Sequence, residues 1–478
     1  MTPTRISTRA EYNALRQNHW DEQARTGSST SFFSREYHHR LDELYRLLVS
    51  PGLDILEIGC GHGDLLAGLT PHHGVGVDFS AEMIARARQR HPGLTFVQAD
   101  AHELPLEERF DIIILSDLVN DAWDVQTMLE QIRPLCKPDT RLLLNLYSRV
   151  YQPILNLAQG LGLARRLLPQ NWLTPEDTEN LLNLAGFEVI RHQQEILLPL
   201  PIPLLRELFN KLLVKLWPFN GLAWVNLLTA RPTAVPAQSA PSVSVIIPAR
   251  NEAGNIEAAF QRVPALGSHT EIIFVEGHST DNTLQAIEDA IRAHPETDAH
   301  LYRQSGKGKA DAVRLGFEKA SGDILMILDA DLTVRPEDLP RFYEALVSGK
   351  GEFINGVRLV YPMQEQAMRF LNLLGNKFFS LAFSWLLGQS IKDTLCGTKV
   401  LTLAHYDRIA ANRAYFGEFD PFGDYDLIFG AAKQNLKIVD MPIRYQDRTY
   451  GSTNIDRWRH GLLLFRMLGI AAARLKFI

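Results

Sequence analysis

Glu57-Ile-Gly59-Cys-Gly61-His-Gly63-Asp64 stands between an apolar run, Asp54-Ile-Leu-Glu-Ile58, and the apolar residues Leu65, Leu66 and Leu69. Its glycines fall at every second position, where positive φ is open to the chain and a ligand can lie directly on the backbone. A second run, Gly74-Val-Gly-Val-Asp78, ends in a carboxylate about twenty residues on, placed to accept hydrogen bonds from both hydroxyls of a ribose. A third, Leu94-Thr-Phe-Val97, is followed by Asp100-Ala101-His102, where an acidic side chain can meet an adenine amino group. Phe110–Leu115 and Arg141–Asn145 continue the series, and segments 80–91 and 124–135 supply helices between the runs. Short apolar strands alternating with helices predict a parallel α/β sheet.

The pattern then restarts. Thr229 to Ser242 (TARPTAVPAQSAPS) is rich in Pro, Ala, Ser and Thr and has no periodic apolar face, so it predicts a semi-extended linker. The chain has 478 residues, enough for more than one domain. We divide it into residues 1–230, a linker at 231–242 and residues 243–478. No internal repeat relates the halves. In the second, Val243–Ile247, Glu271–Val275 and Asp323–Leu328 read as buried strands ending in polar residues. Ligands of open parallel sheets bind beyond such carboxyl ends.

Composition narrows the classes. Hydrophobic residues make up 46% and charged residues 22% of the chain, which suits large cores and excludes a disordered polymer. Net charge is −6, from 49 basic and 55 acidic residues, which argues against nucleic acid as a partner. The three cysteines, Cys60, Cys136 and Cys396, are far apart and odd in number. They exclude a disulfide framework and a Cys-rich zinc site and suit a reducing cytoplasm. The first residues lack the apolar segment of a signal peptide. No uncharged run reaches the ~18–20 residues of a spanning helix.

The glycine-rich turn with its two acidic strand ends resembles the class I S-adenosylmethionine-dependent methyltransferases over roughly residues 40–150, whose first motif is E-x-G-x-G-x-G. That resemblance implies a Rossmann-like fold and S-adenosylmethionine held by Glu57, Gly59, Gly61, Gly63, Asp78, Asp100 and Ala101. Ser116-Asp117-Leu-Val-Asn120-Asp121 is polar near the fourth strand, where acceptor contacts are expected.

The second half carries an ordered series. Pro248-Ala-Arg250-Asn251-Glu252 ends the first strand, and Glu276-Gly-His-Ser279-Thr-Asp281 ends the next. Gly306-Lys-Gly308-Lys309 precedes a helix, and Asp329-Ala-Asp331 closes an apolar strand. Two carboxylates one residue apart form a hard oxygen site suited to Mg²⁺ or Mn²⁺ on a diphosphate. With Asn355-Gly-Val-Arg358, Asp393-Thr-Leu-Cys-Gly-Thr-Lys399, Phe422-Gly-Asp424 and Pro442–Gly451, the series resembles a family 2 glycosyltransferase of GT-A fold. Within that family it looks most like the polyprenyl-phosphate (dolichol-phosphate-mannose-synthase-like) sugar transferases. The resemblance implies that Asp329 and Asp331 hold the metal. It places Pro248, Arg250, Glu252, Glu276, Lys309, Asp329, Arg358 and Arg448 along the nucleotide sugar, and makes Asp424 the general base if the acceptor is a hydroxyl. Gly277 and His278 depart from the usual Asp and Gly, the former of which helps to read the base. Thr453-Asn454 replaces the frequent Ser-Lys.

Residues 457–478 contain five Lys or Arg and no acid, with Leu462, Leu463, Phe465, Leu468 and Ile470 among them. Segments 366–391 and 197–230 are also apolar, the latter with Trp217, Phe219 and Trp224 near Lys211 and Lys215. Such stripes suit helices lying in a lipid interface. The sequence therefore reads as a bifunctional transferase, cytoplasmic and peripheral on the inner face of a membrane. It would pass a sugar from a nucleotide-sugar donor to a polyprenyl-phosphate or related lipid-linked acceptor, and a methyl group to an acceptor it does not name. The alternative is a transferase acting on a soluble saccharide or small molecule, with the first half an S-adenosylmethionine-binding or scaffold module. Oligomeric state is left open.

Overall fold

The computed structural model describes residues 8–26, 32–161, 168–237, 239–358, 360–361, 370–416, 423–446, 448, 450 and 457–477. Of the motif residues named above, Phe422, Gly451 and the Thr453-Asn454 pair lie outside them, as do the first seven residues and positions 366–369. The chain divides into two compact units, Met1–Thr233 and Ala234–Ile478.

The first unit opens with α1 (Arg9–Thr26) and α2 (Phe32–Leu48). There follow β1 (Asp54–Ile58), α3 (Asp64–Gly68), β2 (His73–Asp78), α4 (Ala81–Arg90), β3 (Thr95–Gln98), β4 (Phe110–Leu115), α5 (Val125–Ile132) and β5 (Cys136–Tyr147). It closes with α6 (Gln152–Gly160), α7 (Pro175–Leu184), β6 (Phe187–Glu195), the single turn α8 (Leu205–Glu207) and β7 (Val225–Pro232). The strand order is β3-β2-β1-β4-β5-β7-β6. The first five strands pair in parallel, as their apolar runs predict. β7 instead lies antiparallel between β5 and β6. It is buried along its length, so Val225, Leu227 and Leu228 fill the core rather than meeting lipid. The strand also runs into the stretch read as linker, since Thr229–Pro232 pair with β6 and β5. Helix starts follow side-chain caps: Ser80 accepts the Met83 N–H ahead of α4, and Asp124 accepts the Thr127 N–H ahead of α5.

The second unit runs β8 (Val243–Ala249), α9 (Ile256–Arg262), β9 (Thr270–Glu276), α10 (Thr283–Ala293), β10 (Ala299–Arg303), α11 (Lys309–Lys319), β11 (Ile324–Ile327) and α12 (Leu339–Val347). It continues β12 (Phe353–Val357), α13 (Phe370–Leu387), β13 (Lys399–Thr402), α14 (Leu403–Ala411), α15 (Asp424–Lys433), β14 (Ile438–Pro442) and α16 (Arg457–Ala471). Its sheet is ordered β10-β9-β8-β11-β13-β12-β14, with β13 antiparallel to both neighbours. Both faces are covered. Ile246, Ile273 and Leu325 join one core, while Val245, Ile247, Phe274 and Met326 join the other. Burial on two sides is why these strands read as continuous apolar runs.

The basic C-terminal segment corrects an expectation. On α16, Leu464, Met467 and Ala471 are buried in the unit's core, and Leu463, Leu468 and Ile470 pack partly against it. Only Leu462 (74% exposed) and Phe465 (55%) of the expected lipid stripe face outward. Lys215, read as a surface cation, is likewise buried and ion-paired with Glu195. An apolar stripe on a helix seeks any dry neighbour, and here α13 supplies one through Phe378 and Phe379, whose rings meet Phe465 of α16.

At the end of β1 the buried Glu57 accepts the Leu66 N–H at 3.1 Å, which ties α3 back to the strand. Burial, with Asp42 and Asp78 nearby, outweighs that hydrogen bond and pushes its carboxyl up to about 8 from the ordinary 4.5. A carboxyl raised in the folded state contributes stability that is whole below its unfolded pKa and is lost as pH rises through the folded one. Thermal melts followed by tryptophan fluorescence are expected to shift downward between about pH 6 and about pH 8.5, and to shift less in Glu57→Gln, which keeps an acceptor for Leu66 without the titration. Identical pH profiles would contradict this. On α16, Met467→Ala is expected to cost about 2–5 kcal/mol by emptying core volume. Leu462→Ala is expected to stay within about 0.5 kcal/mol, and denaturant unfolding separates the two.

Candidate functional site

In the first unit, the loop after β1 takes its shape from three left-handed glycines: Gly59 (φ 77°), Gly61 (φ 52°) and Gly63 (φ 76°). The N–H groups of Gly59 and Cys60 both reach Val77 O, at 2.7 and 3.0 Å, so the loop folds over the end of β2. Gly61 donates to Asp78 Oδ2 at 3.0 Å, and Ser80 donates to its Oδ1 at 2.9 Å. Burial nevertheless holds the Asp78 carboxyl above the ordinary range. A Cβ at Gly61 would meet nothing within 4 Å, whereas one at Gly63 would strike Phe96 at 2.6 Å. Open space thus lies over Gly61 and close packing under Gly63. Glu57, Gly59, Gly61, Gly63 and Asp78 lie together around the loop between β1 and α3 and the end of β2.

Asp100 differs in its surroundings. Its Oδ2 accepts from Arg9 and Asn13 of α1, each at 2.7 Å, and its Oδ1 accepts the His102 N–H at 3.0 Å and faces His102 Nδ1 at 2.7 Å. Burial opposes ionisation, but these partners hold the carboxyl well below the usual range. Both oxygens are therefore engaged within the protein, and Ala101 packs partly into the core. Sequence reasoning missed α1, which crosses the strand ends: Gln17 donates to Phe79 O at 3.3 Å, Asp21 pairs with Ser80, and Tyr12 meets Trp123 edge to face. No periodic stripe announces this helix, because its contacts are polar and distant in sequence.

Beyond β4, Asp117 has φ 56°, a strained conformation for a non-glycine residue. Its Oδ1 accepts from Tyr37 at 2.7 Å and from Asn145 at 2.5 Å. Burial keeps this carboxyl above the ordinary range against the pull of His38, Tyr37 and Asn145. Leu118, the next residue, covers Gly59, so Asp117 stands beside the glycine loop. Asn120 is spent on Tyr147 N and Asn171 O, and Asp121 faces the buried Arg16 at 3.5 Å.

In the second unit, a cavity of about 340 Å³ opens at the carboxyl ends of β8, β9 and β11. Pro248, Arg250, Glu252, Lys309, Asp329, Asp331 and Arg448 line it, together with Gly277 and Gln304. Lys309 Nζ lies 2.5 Å from Asp329 Oδ1, and Arg448 Nη2 lies 2.6 Å from Asp331 Oδ2. Arg448 also reaches Glu252 Oε1 at 3.1 Å. Asp331 Oδ1 is fixed by the N–H of Thr333 at 3.1 Å and its hydroxyl at 2.8 Å. Burial works against the Asp329 charge, but Lys309 prevails and holds the carboxyl below its ordinary value. A Cβ at Gly397 would lie 2.1 Å from Asp329 Oδ2 and 2.2 Å from Lys309 Nζ, so glycine there leaves the acid and the ammonium their room.

Asp424 begins α15, after Gly423 (φ 79°), and a Cβ at Gly423 would come within 2.9 Å of Ala310 Cα on α11. That close approach carries Asp424 toward Lys309. Asp424 is buried and lies 3.6 Å from the buried Lys399, whose ammonium donates to Cys396 O. Asp424 and two other expected residues stand apart from the cavity lining. Arg358 forks onto the buried Asp393 at 2.7 and 2.9 Å, so its guanidinium is satisfied inside the protein rather than turned to phosphate. Glu276 accepts the Ser279 N–H at 2.6 Å and serves the turn. A separate cluster, Glu271, Asp298 and His300, has ligand atoms close enough for a cation. It lies at the opposite, amino ends of β9 and β10, and Glu271 is already taken up by Ser244, Ser321 and Gly322.

Comparison with known proteins gives the family. Residues 55–139 match the model of a methyltransferase domain, and residues 244–412 match that of glycosyl transferase family 2. Glycosyltransferase AglJ of Haloferax volcanii is 30% identical over 226 residues, covering 47% of this chain and 70% of that protein. A dolichol-phosphate mannosyltransferase of Pyrococcus furiosus is 39% identical over 109 residues, covering 22% of this chain and 30% of that protein. Among solved structures, a complex of the Haloferax volcanii Trm112 methyltransferase activator with a methyltransferase matches at 21% identity and a TM-score of 0.35, over 45% of this chain and 97% of that one. The sequence matches and the two glycine-and-carboxylate sites agree: the chain belongs to glycosyl transferase family 2 and carries a methyltransferase domain in its first half.

Proposed function

We propose that the second unit transfers a sugar from a nucleoside-diphosphate donor to a polyprenyl phosphate or related lipid-linked acceptor, with the help of Mg²⁺ or Mn²⁺, and that the first is an S-adenosylmethionine-dependent methyltransferase. The observation that carries the sugar-transfer reading is the cavity in which Asp329 and Asp331 each face a cation, Lys309 and Arg448. The donor set fits a divalent ion: carboxylate oxygens one residue apart, with the space kept open at Gly397. Asp329 and Asp331 would hold the ion. Bound there, it would offset charge on the departing diphosphate, the largest electrostatic demand of the step.

The chain's own residues do the rest. Lys309 and Arg448 neutralise the carboxylates in this structure and are in reach of a diphosphate laid between them, for which the guanidinium fork is well shaped. Pro248, Arg250 and Glu252 line the nucleotide side. Asp424 would take a proton from a hydroxyl acceptor; a lipid phosphate, already anionic, needs no base. Glycosyltransferase relatives named for dolichol phosphate and for undecaprenyl phosphate support a lipid acceptor. So does an outward apolar face on α13 and α16, where Phe378, Leu381, Trp385, Leu462 and Phe465 are exposed and Lys476 lies 5.3 Å over the Trp385 ring. Such a face suits peripheral contact with an anionic membrane. The first unit exposes Ile154, Leu157, Leu161, Leu204, Trp217 and Leu222. Among the described residues no helix is long and apolar enough to cross a membrane.

In the first unit, Gly59, Gly61, Gly63 and Asp78 would seat S-adenosylmethionine in the open space over Gly61. Methyl transfer then asks mainly for a nucleophile held in line. Asp117, strained and beside the loop, is the base for an acceptor that must lose a proton.

The test is transfer from a panel of nucleotide sugars to polyprenyl phosphate with Mn²⁺, read as label extracted into organic solvent. Asp329→Asn and Asp331→Asn are each expected to lose about 100-fold or more of metal-dependent transfer with little change in melting temperature, since each carboxylate sits in the turn after β11 and lines a cavity rather than filling a core. Full turnover in both variants would overturn the metal site, and label that stays in water would overturn the lipid acceptor.

A further inference from the structure

Phosphate and metal contacts are the same for every nucleoside diphosphate, so some other residue must read the base. The carboxylates that could do so are occupied. Glu276 accepts the Ser279 N–H at 2.6 Å, and Asp281 accepts the Thr283 N–H at 3.0 Å. Position 277, where similar transferases carry Asp, is glycine. Its φ is outside the left-handed region, so the backbone does not require glycine. A Cβ there would lie 3.3 Å from Arg250 Cβ and 3.4 Å from Gln304 Nε2.

Gln304 stands directly after β10. Its main chain is pinned by a hydrogen bond from its N–H to Glu276 O at 3.2 Å. It is 5% exposed and lines the same cavity as Asp329 and Lys309, and its side-chain Oε1 is buried without a hydrogen-bond partner. Buried amide oxygens are nearly always satisfied. An amide in the lining of a ligand cavity, with its nitrogen beside Gly277 and its oxygen without a partner in the protein, has hydrogen-bonding capacity left for a ligand.

We propose that Gln304 is the base-reading residue of this transferase: with its amide turned into the cavity, its Oε1 accepts an N–H from the edge of the donor's nucleobase. A neutral amide offers both an acceptor and a donor to the base. This rests on the nucleotide-sugar reading above.

The experiment is calorimetric binding of UDP, GDP, CDP and ADP in Mn²⁺, with inorganic diphosphate as a probe that has no base. The wild-type chain is expected to prefer one nucleotide. Gln304→Leu is expected to cut that preference about tenfold while leaving inorganic diphosphate affinity unchanged. Gln304→Glu, which keeps the shape and an acceptor oxygen, is the second variant and is expected to retain the preference. A preference that survives Gln304→Leu, a loss in Gln304→Glu as large as in Gln304→Leu, a wild-type chain with no preference, or an equal loss of inorganic diphosphate binding would each overturn the assignment of Gln304. Binding of inorganic diphosphate but of no nucleotide would also overturn it, and binding of neither would overturn the nucleotide-sugar reading itself.

Discussion

Two carboxylates at the end of one apolar strand impose a charge problem that organises the second unit. Asp329 and Asp331 follow β11 in the turn that lines the cavity, where unpaired like charges are costly. The fold answers with a cation for each. Lys309 is delivered by the start of α11, immediately after Gly308 (φ 91°), and Gly397 keeps the space where acid and ammonium meet. Arg448 arrives from the segment after β14 and spans Asp331 and Glu252. Four parts of the chain, far apart in sequence, thus converge on one charge balance, and a diphosphate with its ion is the ligand that could enter without upsetting it.

The first unit solves a milder version of the same problem with backbone rather than with cations. Asp78 is nearly buried, yet its oxygens are met by N–H groups of the glycine loop and of Ser80. The left-handed glycines bend the loop so that these donors turn inward, and the price is that little but glycine fits at Gly63. Helix α1 then closes over the strand ends through Asp100, Phe79 and Ser80.

Much of this was legible in the sequence where the signal is local. Strands ending in Glu57, Asp78, Glu276 and the Asp329 pair, and glycines at strand-to-helix turns, follow from neighbour-to-neighbour chemistry, and the structure places them accordingly. What escaped depends on partners far along the chain. The fork of Arg358 onto Asp393, the hold of Arg9 on Asp100, and the orphaned oxygen of Gln304 carry no signature in their own neighbourhoods. The apolar stripes of β7 and α16 show a different limit. Burial in a core and burial in lipid ask for the same residues, and only the fold tells that Leu228 and Met467 are inside while Trp217 and Leu462 are outside.

The central claim is that the Asp329–Asp331 pair is an ion site balanced by Lys309 and Arg448 and completed by a diphosphate. Electron paramagnetic resonance of free Mn²⁺ tests it most directly, with the ion titrated into the full chain with and without the preferred nucleoside diphosphate. The account expects Mn²⁺ to be held tightly only when the diphosphate is present, and that binding to vanish in Asp329→Asn. Equal Mn²⁺ binding without diphosphate, or unchanged binding in Asp329→Asn, would contradict it.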